Sequence, residues 1–433
     1  MNLQTSEQAT TATSGRAGGL RSAAPAYALG ILTAVCFFNY LDRMVIAVLL
    51  EPIKQELELS DSQMGLIAGF AFAMLYAVLG LPLARVADRH NRITLISICL
   101  AVWSAMTAVT GLVRNFTELF AARMAVGVGE AGCVPAAHSI LGDLFPGERR
   151  AFAISIFQAG GALGQSAGLA LAAVAAQLWG WRVALLIVGL IGMPLALLTF
   201  FTVREPARSD DHAAMSGDSV FTTLKALIVR PPLVNTILGI AIAAFGSYGM
   251  VQWMPAFFIR SHGLSLAEVG LFIGVIGALG GVLGTVFGGY ALTRLGPRDV
   301  RWELWWPMIV FGIFPIFMLP SFLVSDYRVA FGFQFVAFFI GASGGGVALS
   351  ALQTYAEPNR RAIAVAVTLL MSSLLGLGLG PVVVGVISDV LSPNLGTESL
   401  RYALAATCIM PIWSATHFWF AARTSRRWQV SQG

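Results

Sequence analysis

Charge is scarce in this chain. Asp, Glu, Lys and Arg make up 11% of its 433 residues, against 57% hydrophobic residues and a mean hydropathy of +0.77. So little polar surface excludes a water-soluble globule and points to a protein that lies in lipid. Cysteine is scarce as well: Cys36, Cys99, Cys133 and Cys408 all fall in apolar stretches, without the spacing of a disulfide framework or a paired metal-ligand motif. The five histidines are scattered, so no metal site is expected. Basic residues are spread over many short loops rather than one face, which argues against nucleic acid as the meaning of a pI near 9.2. There is no nucleotide-binding loop, nucleophile motif or soluble domain, which argues against a membrane enzyme or receptor. An early apolar h-region is missing too, so residues 1–24, polar and rich in Ser, Thr and Ala, read as a disordered cytoplasmic arm.

What is abundant is long apolar stretches. Twelve of them approach the ~20 residues that cross a ~30 Å hydrocarbon core: about 26–50, 62–87, 93–113, 116–141, 151–177, 182–203, 234–259, 267–292, 303–324, 328–353, 362–388 and 400–421. Backbone polar groups in lipid must be satisfied within a helix or a closed barrel, and these runs far exceed barrel strands of about 9–11 residues. The expected fold is an all-α integral membrane protein with twelve transmembrane helices. With both termini on the cytoplasmic side, 19 of the 27 Lys and Arg residues fall on that side and six on the other, leaving Arg43 and Arg123 inside the membrane. That bias predicts an N-in, C-in, multi-pass protein of the plasma membrane, or of the inner membrane in a bacterium.

The longest polar interruption, 204–233, divides the spans six and six. The fourth-to-fifth connection reads P-G-E-R-R-A-F-A (Pro146 to Ala153), and the tenth-to-eleventh reads P-N-R-R-A-I-A (Pro358 to Ala364). A second echo pairs V-A-D-R-H-N-R (Val86 to Arg92) with A-L-T-R-L-G-P (Ala291 to Pro297). Offsets of 211 and 205 residues imply a duplicated unit: two pseudo-symmetric six-helix bundles at 25–203 and 234–421, a cytoplasmic linker at 204–233, and a cytoplasmic tail at 422–433. Halves of this kind usually bind substrate between them near the midplane and alternate access by rocking.

Four charges break the apolar rule: Asp42 and Arg43 in the first span, Arg123 and Glu130 in the fourth. A charge at the bilayer centre costs ~2.5–3.5 kcal/mol on insertion scales, so such residues survive by pairing and usually mark an ion or substrate path. They point to a transporter. Arg123 and Glu130 are seven residues apart, on one helix face about 10 Å from each other along the axis. A four-charge cluster between spans one and four is the natural pairing.

Several of these segments carry a family resemblance. The architecture and G-L-P-L-A-R-V-A-D-R-H-N-R after span two resemble the major facilitator superfamily, with Ala84 and Asn91 where its signature has glycine. Within it, N-Y-L-D-R (Asn39 to Arg43), D-R-H-N-R, R-M-A-V-G-V-G-E-A (Arg123 to Ala131) and L-F-P-G-E-R-R resemble the spinster-like lysolipid transporters. The superfamily match covers nearly all the chain. The spinster match rests mainly on the first half, since proton-coupled organic-anion symporters share the D-R and Arg/Glu pairs; the Asn in D-R-x-N-R favours spinster.

The resemblance implies a proton-coupled secondary transporter for a lysophospholipid or sphingoid-type amphiphile. The alternative is a proton-coupled transporter of small organic anions of the sugar-acid type, or of drugs. No cofactor is expected beyond the proton gradient; the partners are protons, the bilayer and a small amphiphilic or anionic substrate, and the chain is expected to be a monomer. Asp42 and Glu130 are assigned proton coupling, because burial and a neighbouring guanidinium act oppositely on a carboxylate and make its protonation sensitive to geometry. Arg43 and Arg123 are assigned the anionic head group. The second half has no acid or base near mid-membrane, and Tyr248, Gln252 and Gln353 are its candidate substrate contacts. Such asymmetry, one charged wall and one apolar wall, suits an amphiphile. The resemblance makes Asp88, Arg89 and Arg92 a gate, with Asp88 meeting the start of span eleven; Thr293 stands at the equivalent place in the second half. Glycines at four-residue spacing, Gly160, Gly164 and Gly168, then Gly270 and Gly274, and Gly280, Gly284 and Gly288, predict close helix packing. G-L-G-L-G-P, ending at Pro381, predicts a bend.

Overall fold

The computed structural model describes residues 18–145, 147–207, 230–357 and 360–430. Most of the expected arm before residue 25, most of the 204–233 linker and the last three residues of the tail lie outside the described residues. The fold is all-α. In chain order the helices are α1 Gly18–Leu57, α2 Asp61–Gly65, α3 Ala71–Arg89, α4 Arg92–Thr110, α5 Phe116–Glu130, α6 Cys133–Leu144, α7 Glu148–Thr202 and α8 Pro231–His262. Then come α9 Leu266–Leu295, α10 Trp302–Leu323, α11 Tyr327–Tyr355, α12 Arg361–Met371, α13 Gly380–Leu395, α14 Ser399–Thr407 and α15 Ile409–Val430.

Among the described residues, ten helical stretches are long and apolar enough to cross a membrane. Two of these, Arg149–Thr202 with 54 residues and Ile363–Ser425 with 63, are each long enough for two crossings of ~20 residues. Each is cut by a glycine in a positive-φ conformation, Gly180 at φ 82° and Gly396 at φ 54°. These are turns that a side chain with Cβ would resist.

Three expected spans are interrupted. The second runs from α2 through a π-helical segment, Leu66–Phe70, into α3, and the eleventh runs from α12 through a second one, Ser372–Leu379, into α13. π segments widen a helix locally and free a carbonyl, and they concentrate at functional sites. The G-L-G-L-G-P run, where a bend is expected, spans the end of this second π segment and the start of α13. The fourth span, expected unbroken over 116–141, ends its first helix at Glu130 and restarts at Cys133 after a turn.

Glycine spacing does the packing it predicts. A side chain at Gly160, Gly164 or Gly168 of α7 would strike Thr33, Phe37 or Leu41 of α1, one turn apart on both helices. On α9, Gly280, Gly284 and Gly288 lie against α11, whereas Gly270 and Gly274 lie against Leu169 and Ser166 of α7 in the other half.

The face at the start of α1 and the end of α15 is termed the terminal face, and the other the distal face. The bonds and close contacts that join the halves cluster at the distal face. There the largest buried core runs continuously from Val45, Leu49, Ile53 and Met64 of the first half to Trp253, Phe257, Val384 and Leu400 of the second. A Cβ added at Gly65 would lie 2.5 Å from the Pro381 carbonyl oxygen, and one added at Gly69 2.6 Å from that of Gly378. Toward the terminal face the cores separate, one around Cys99, Trp103, Ile140 and Phe157 of the first half, which Leu377 of the second half joins, the other around Leu304, Phe311 and Phe418. The cleft between the halves is sealed distally and widens toward the terminal face.

Candidate functional site

Asp42 and Arg43 are adjacent on α1 and so diverge by about 100° around the helix. Each finds a different partner on α5. Arg43 Nε donates to Glu130 Oε2 at 2.6 Å, and Arg123 Nη1 lies 3.6 Å from Asp42 Oδ2. Thr107 on α4 donates to Asp42 Oδ1 at 2.5 Å. The four charges thus form one cluster between α1 and α5, paired crosswise, with no bond between Arg123 and Glu130 of α5 themselves.

The two pairs differ in access. The side chains of Asp42 and Arg123 are each 3% exposed and that of Glu130 is 0%, while Arg43 reaches 14%. Arg43 is the member that faces the cleft. Aromatic rings surround it: its guanidinium carbon lies 4.8 Å from the Tyr76 ring centroid, 5.0 Å from Phe72 and 5.3 Å from Tyr40. Such faces stabilise a cation where water is sparse. Arg43 Nη2 and Glu130 Oε1 make no hydrogen bond in the protein, so the pair keeps both donor and acceptor capacity for something else.

Across the cleft the wall is apolar. A cavity of about 450 Å³ opens in the second half, lined by Ala244, Tyr248 and Val251 of α8, Phe314 of α10, and Gly341 and Gly345 of α11. Gln165 of α7 also borders it. Tyr248 is 36% exposed, so one expected substrate contact does line this cavity. The other two do not. Gln252 is buried and donates to the Ala68 carbonyl in the π segment of the opposite half, at 3.3 Å. Gln353 is exposed near the terminal end of α11.

The expected gate residues divide in the same way. Asp88 and Arg89 are exposed at the terminal end of α3. Arg92 is buried and belongs to the interior of the first half. Its Nη1 lies 2.5 Å from Asp143 and 2.8 Å from Ser139 on α6, and its Nε 2.6 Å from Glu205 just beyond α7. Glu205 also accepts from the amides of Arg92 and Ile93, which caps α4. Among the described residues no group of three or more His, Cys, Asp or Glu side chains could hold a metal ion.

Sequence reasoning passed over four charged residues that join the halves at the distal face: Glu51, Asp61, Arg260 and Asp389. They stand at the ends of apolar stretches, where charge is ordinary and carries no warning. The one signal available was that Glu51 lies only eight residues beyond Arg43, before its apolar run has clearly ended.

A helical membrane protein with a one-sided cleft, a buried charge cluster on one wall and an apolar cavity on the other has the form of a secondary transporter. The model of the Major Facilitator Superfamily matches residues 32–381, and the chain belongs to that superfamily. It is similar over 405 residues to an MFS-type efflux pump of Mycolicibacterium smegmatis, 35% identical and covering 92% of this chain and 93% of that one. It is 30% identical to human protein spinster homolog 1 over 411 residues, 88% of this chain and 76% of the human protein. Among solved structures, a bacterial homolog of the human lysosomal transporter spinster, inward-facing and unoccupied, matches with a TM-score of 0.86 and 29% identity, covering 94% of this chain and 98% of that one. The protein is a transporter of this superfamily related to the spinster proteins, not an enzyme.

Proposed function

We propose that this protein is a proton-coupled transporter that moves a single-chain anionic amphiphile, of the lysophospholipid or sphingoid type, by alternating access between its two halves. The observation that carries the reading is the contrast across the cleft: a partly exposed, ring-caged Arg43 on one wall and an apolar cavity of about 450 Å³ on the other. A head-group phosphate would take the unused donor of Arg43, and a hydrocarbon chain would fill the cavity beyond Tyr248.

Glu130 and an anionic head group compete for the same guanidinium. A proton on Glu130 weakens its hold on Arg43 and frees that cation for substrate; substrate on Arg43 in turn leaves Glu130 less compensated and favours the proton. The two bound species are linked through one side chain, as coupling requires. Asp42 is held by Arg123 and Thr107 one step deeper, where it completes the charge balance of the cluster and accepts a proton in turn. With both termini cytoplasmic, as the distribution of Lys and Arg favours, the cleft described here opens inward, and the spinster homolog in its inward-facing form is among the solved structures it resembles.

A second reading is transport of small organic anions or drugs past the same charged wall; the similarity to a mycobacterial efflux pump supports export as its direction. One experiment separates the two. The protein is reconstituted in liposomes with a trapped pH dye, and lysolipids, sphingoid phosphates, sugar acids and cationic drugs are added separately, with protein-free liposomes correcting for leak. Proton movement on lysolipid or sphingoid phosphate, abolished by Glu130→Gln, is the expected result. Movement on sugar acids or drugs alone transfers the function to the second reading, and unchanged proton movement in Glu130→Gln removes the coupling role.

A further inference from the structure

Asn39 of α1 has no part in the transport scheme above, yet its side chain is wholly buried and neither Oδ1 nor Nδ2 makes a hydrogen bond in the protein. A primary amide donates two hydrogen bonds and accepts two. Burying one without partners is costly, and packing alone is served by apolar side chains such as the buried Leu32, Val35 and Ile46 of the same helix.

The place of Asn39 on α1 shows what the amide is for. Asp42 stands about 60° to one side of it around the helix and Arg43 about 40° to the other. Asn39 therefore lies on the helix face between the two ion pairs, one turn nearer the terminal face. On α5, which runs the opposite way, Glu130 lies on the terminal side of Arg123 and so at the same end of the cluster as Asn39.

The cluster repeats the pattern seen at Asn39. Thr107 satisfies Asp42 Oδ1, but Oδ2 makes no hydrogen bond, and Arg123 Nη1 at 3.6 Å is beyond bonding range. A polar contact of that length is a usual place for a bridging water. Arg123 Nε, Arg43 Nη2 and Glu130 Oε1 are buried and unbonded as well. The donors are thus Asn39 Nδ2, Arg43 Nη2 and Arg123 Nε, and the acceptors Asn39 Oδ1, Asp42 Oδ2 and Glu130 Oε1.

That balance selects the ligand. A metal cation would face the donors and two guanidinium groups whose charge the two carboxylates already match. An anion would face the acceptors. A small neutral molecule that both donates and accepts suits all six atoms, and buried water typically makes about three hydrogen bonds to groups of this kind.

We propose that Asn39 and the unbonded atoms of the four charges hold buried water, and that this water carries the proton between Glu130 and Asp42. Glu130 gives its proton to the water and the water gives one of its own to Asp42. Glu130 is left a carboxylate, Asp42 becomes a neutral acid, and the water is unchanged. Asn39 is a positioning residue: its amide holds the water by one acceptor and one donor and neither gains nor loses a proton in the step. The inference rests on the proton-coupled reading and supplies the route by which Asp42, one step deeper, is reached from Glu130.

The test is time-resolved infrared difference spectroscopy on full-length protein in a lipid film, without substrate or gradient, after flash release of protons from a caged donor. Glu130→Gln and Asp42→Asn assign the C=O stretch of each protonated carboxyl, and heavy-oxygen water identifies water bands by their isotope shift. Tyr40 and Tyr76 beside Arg43, and Cys133 near Glu130, are silent in the carboxyl region. The unaltered protein should show both carboxyl bands and an isotope-sensitive water band. Asn39→Leu, which keeps the volume and removes the polar group, should lose the water band and delay the Asp42 band behind that of Glu130 on the order of tenfold, as expected for removing one hydrogen-bonded support of the transfer. Asn39→Val takes its place where Asn39→Leu does not fold. Asn39→Ser, whose hydroxyl donates and accepts, should restore both signals, which a packing role would not. A water band kept in Asn39→Leu, an Asp42 band undelayed there, or no recovery in Asn39→Ser overturns the proposal. Carboxyl bands without a water band in the unaltered protein remove the water and leave the coupling scheme standing, whereas absence of both carboxyl bands removes the coupling scheme and the relay with it.

Discussion

In the proposed function Arg43 and Glu130 are a working pair rather than a brace, and the two roles predict different outcomes when the pair is removed. A buried ion pair contributes little net stability, but removing one partner strands the other and costs ~3–5 kcal/mol. Arg43→Met should therefore lower thermal stability in detergent by several degrees, by leaving Glu130 fully buried with no bonded cation. Adding Glu130→Gln should restore most of that loss. If the pair is merely structural, the double variant recovers transport together with its melting temperature; if the pair couples proton and substrate, it recovers the melting temperature alone. The four cluster residues were legible in the sequence because charge inside an apolar run is rare and costly. Their pairing was not, because only the structure shows which way two adjacent side chains on α1 diverge. Arg260 and Asp389 were illegible for the opposite reason, since charge at the end of a span is commonplace.

Among the helices, the fold was legible wherever it rests on hydrophobic length and on glycine period. The four-residue glycine rows of α7 and α9 find their partners at the same interval on α1 and α11, because a repeat on one helix can be met only by a repeat on its neighbour. What could not be read were the π segments at Leu66–Phe70 and Ser372–Leu379 and the turn after Glu130. These follow from how helices meet: Gly69 and Gly378 lie in the two π segments, where the backbones of the two halves touch. The turn after Glu130 is backed by close packing of α5 on α4. At Gly129 an added Cβ would lie 2.7 Å from the Trp103 nitrogen and 2.8 Å from its Cβ, with backbone as one obstacle. Gly129→Ala is thus expected to destabilise the first half by ~1–3 kcal/mol through overpacking and to shift Glu130 away from Arg43. The expected result is a lower melting temperature together with weakened proton coupling, read by the same pH dye. Gly277→Ala, where the structure leaves open space, should change neither and serves as the control.

For the whole molecule, chemistry is divided between the halves: charge in the first, apolar volume in the second. That division was anticipated from the absence of acids and bases in the middle of the later spans, although Tyr248 alone of the three expected contacts there lines the cavity. Its consequence for the proposed substrate is that the two halves should control different quantities. Changes at Arg43 should affect every substrate with an anionic head, whereas changes in the cavity should discriminate by chain length. Gly345 lines that cavity and has nothing within 4 Å of an added Cβ, so Gly345→Leu can project into the space without disturbing a helix contact. The added side chain occupies room for about four methylenes, each worth ~0.8 kcal/mol on burial. Affinity for a sixteen-carbon lysolipid is then expected to fall on the order of two-hundredfold, while an eight-carbon analogue, whose tail stops short of the filled volume, is moved as before. Competition between the two chain lengths in the liposome assay measures the effect directly. An equal loss for both lengths would mean that the cavity does not hold the tail, and would favour the reading in which the cleft carries small anions or drugs past Arg43 without a chain to accommodate.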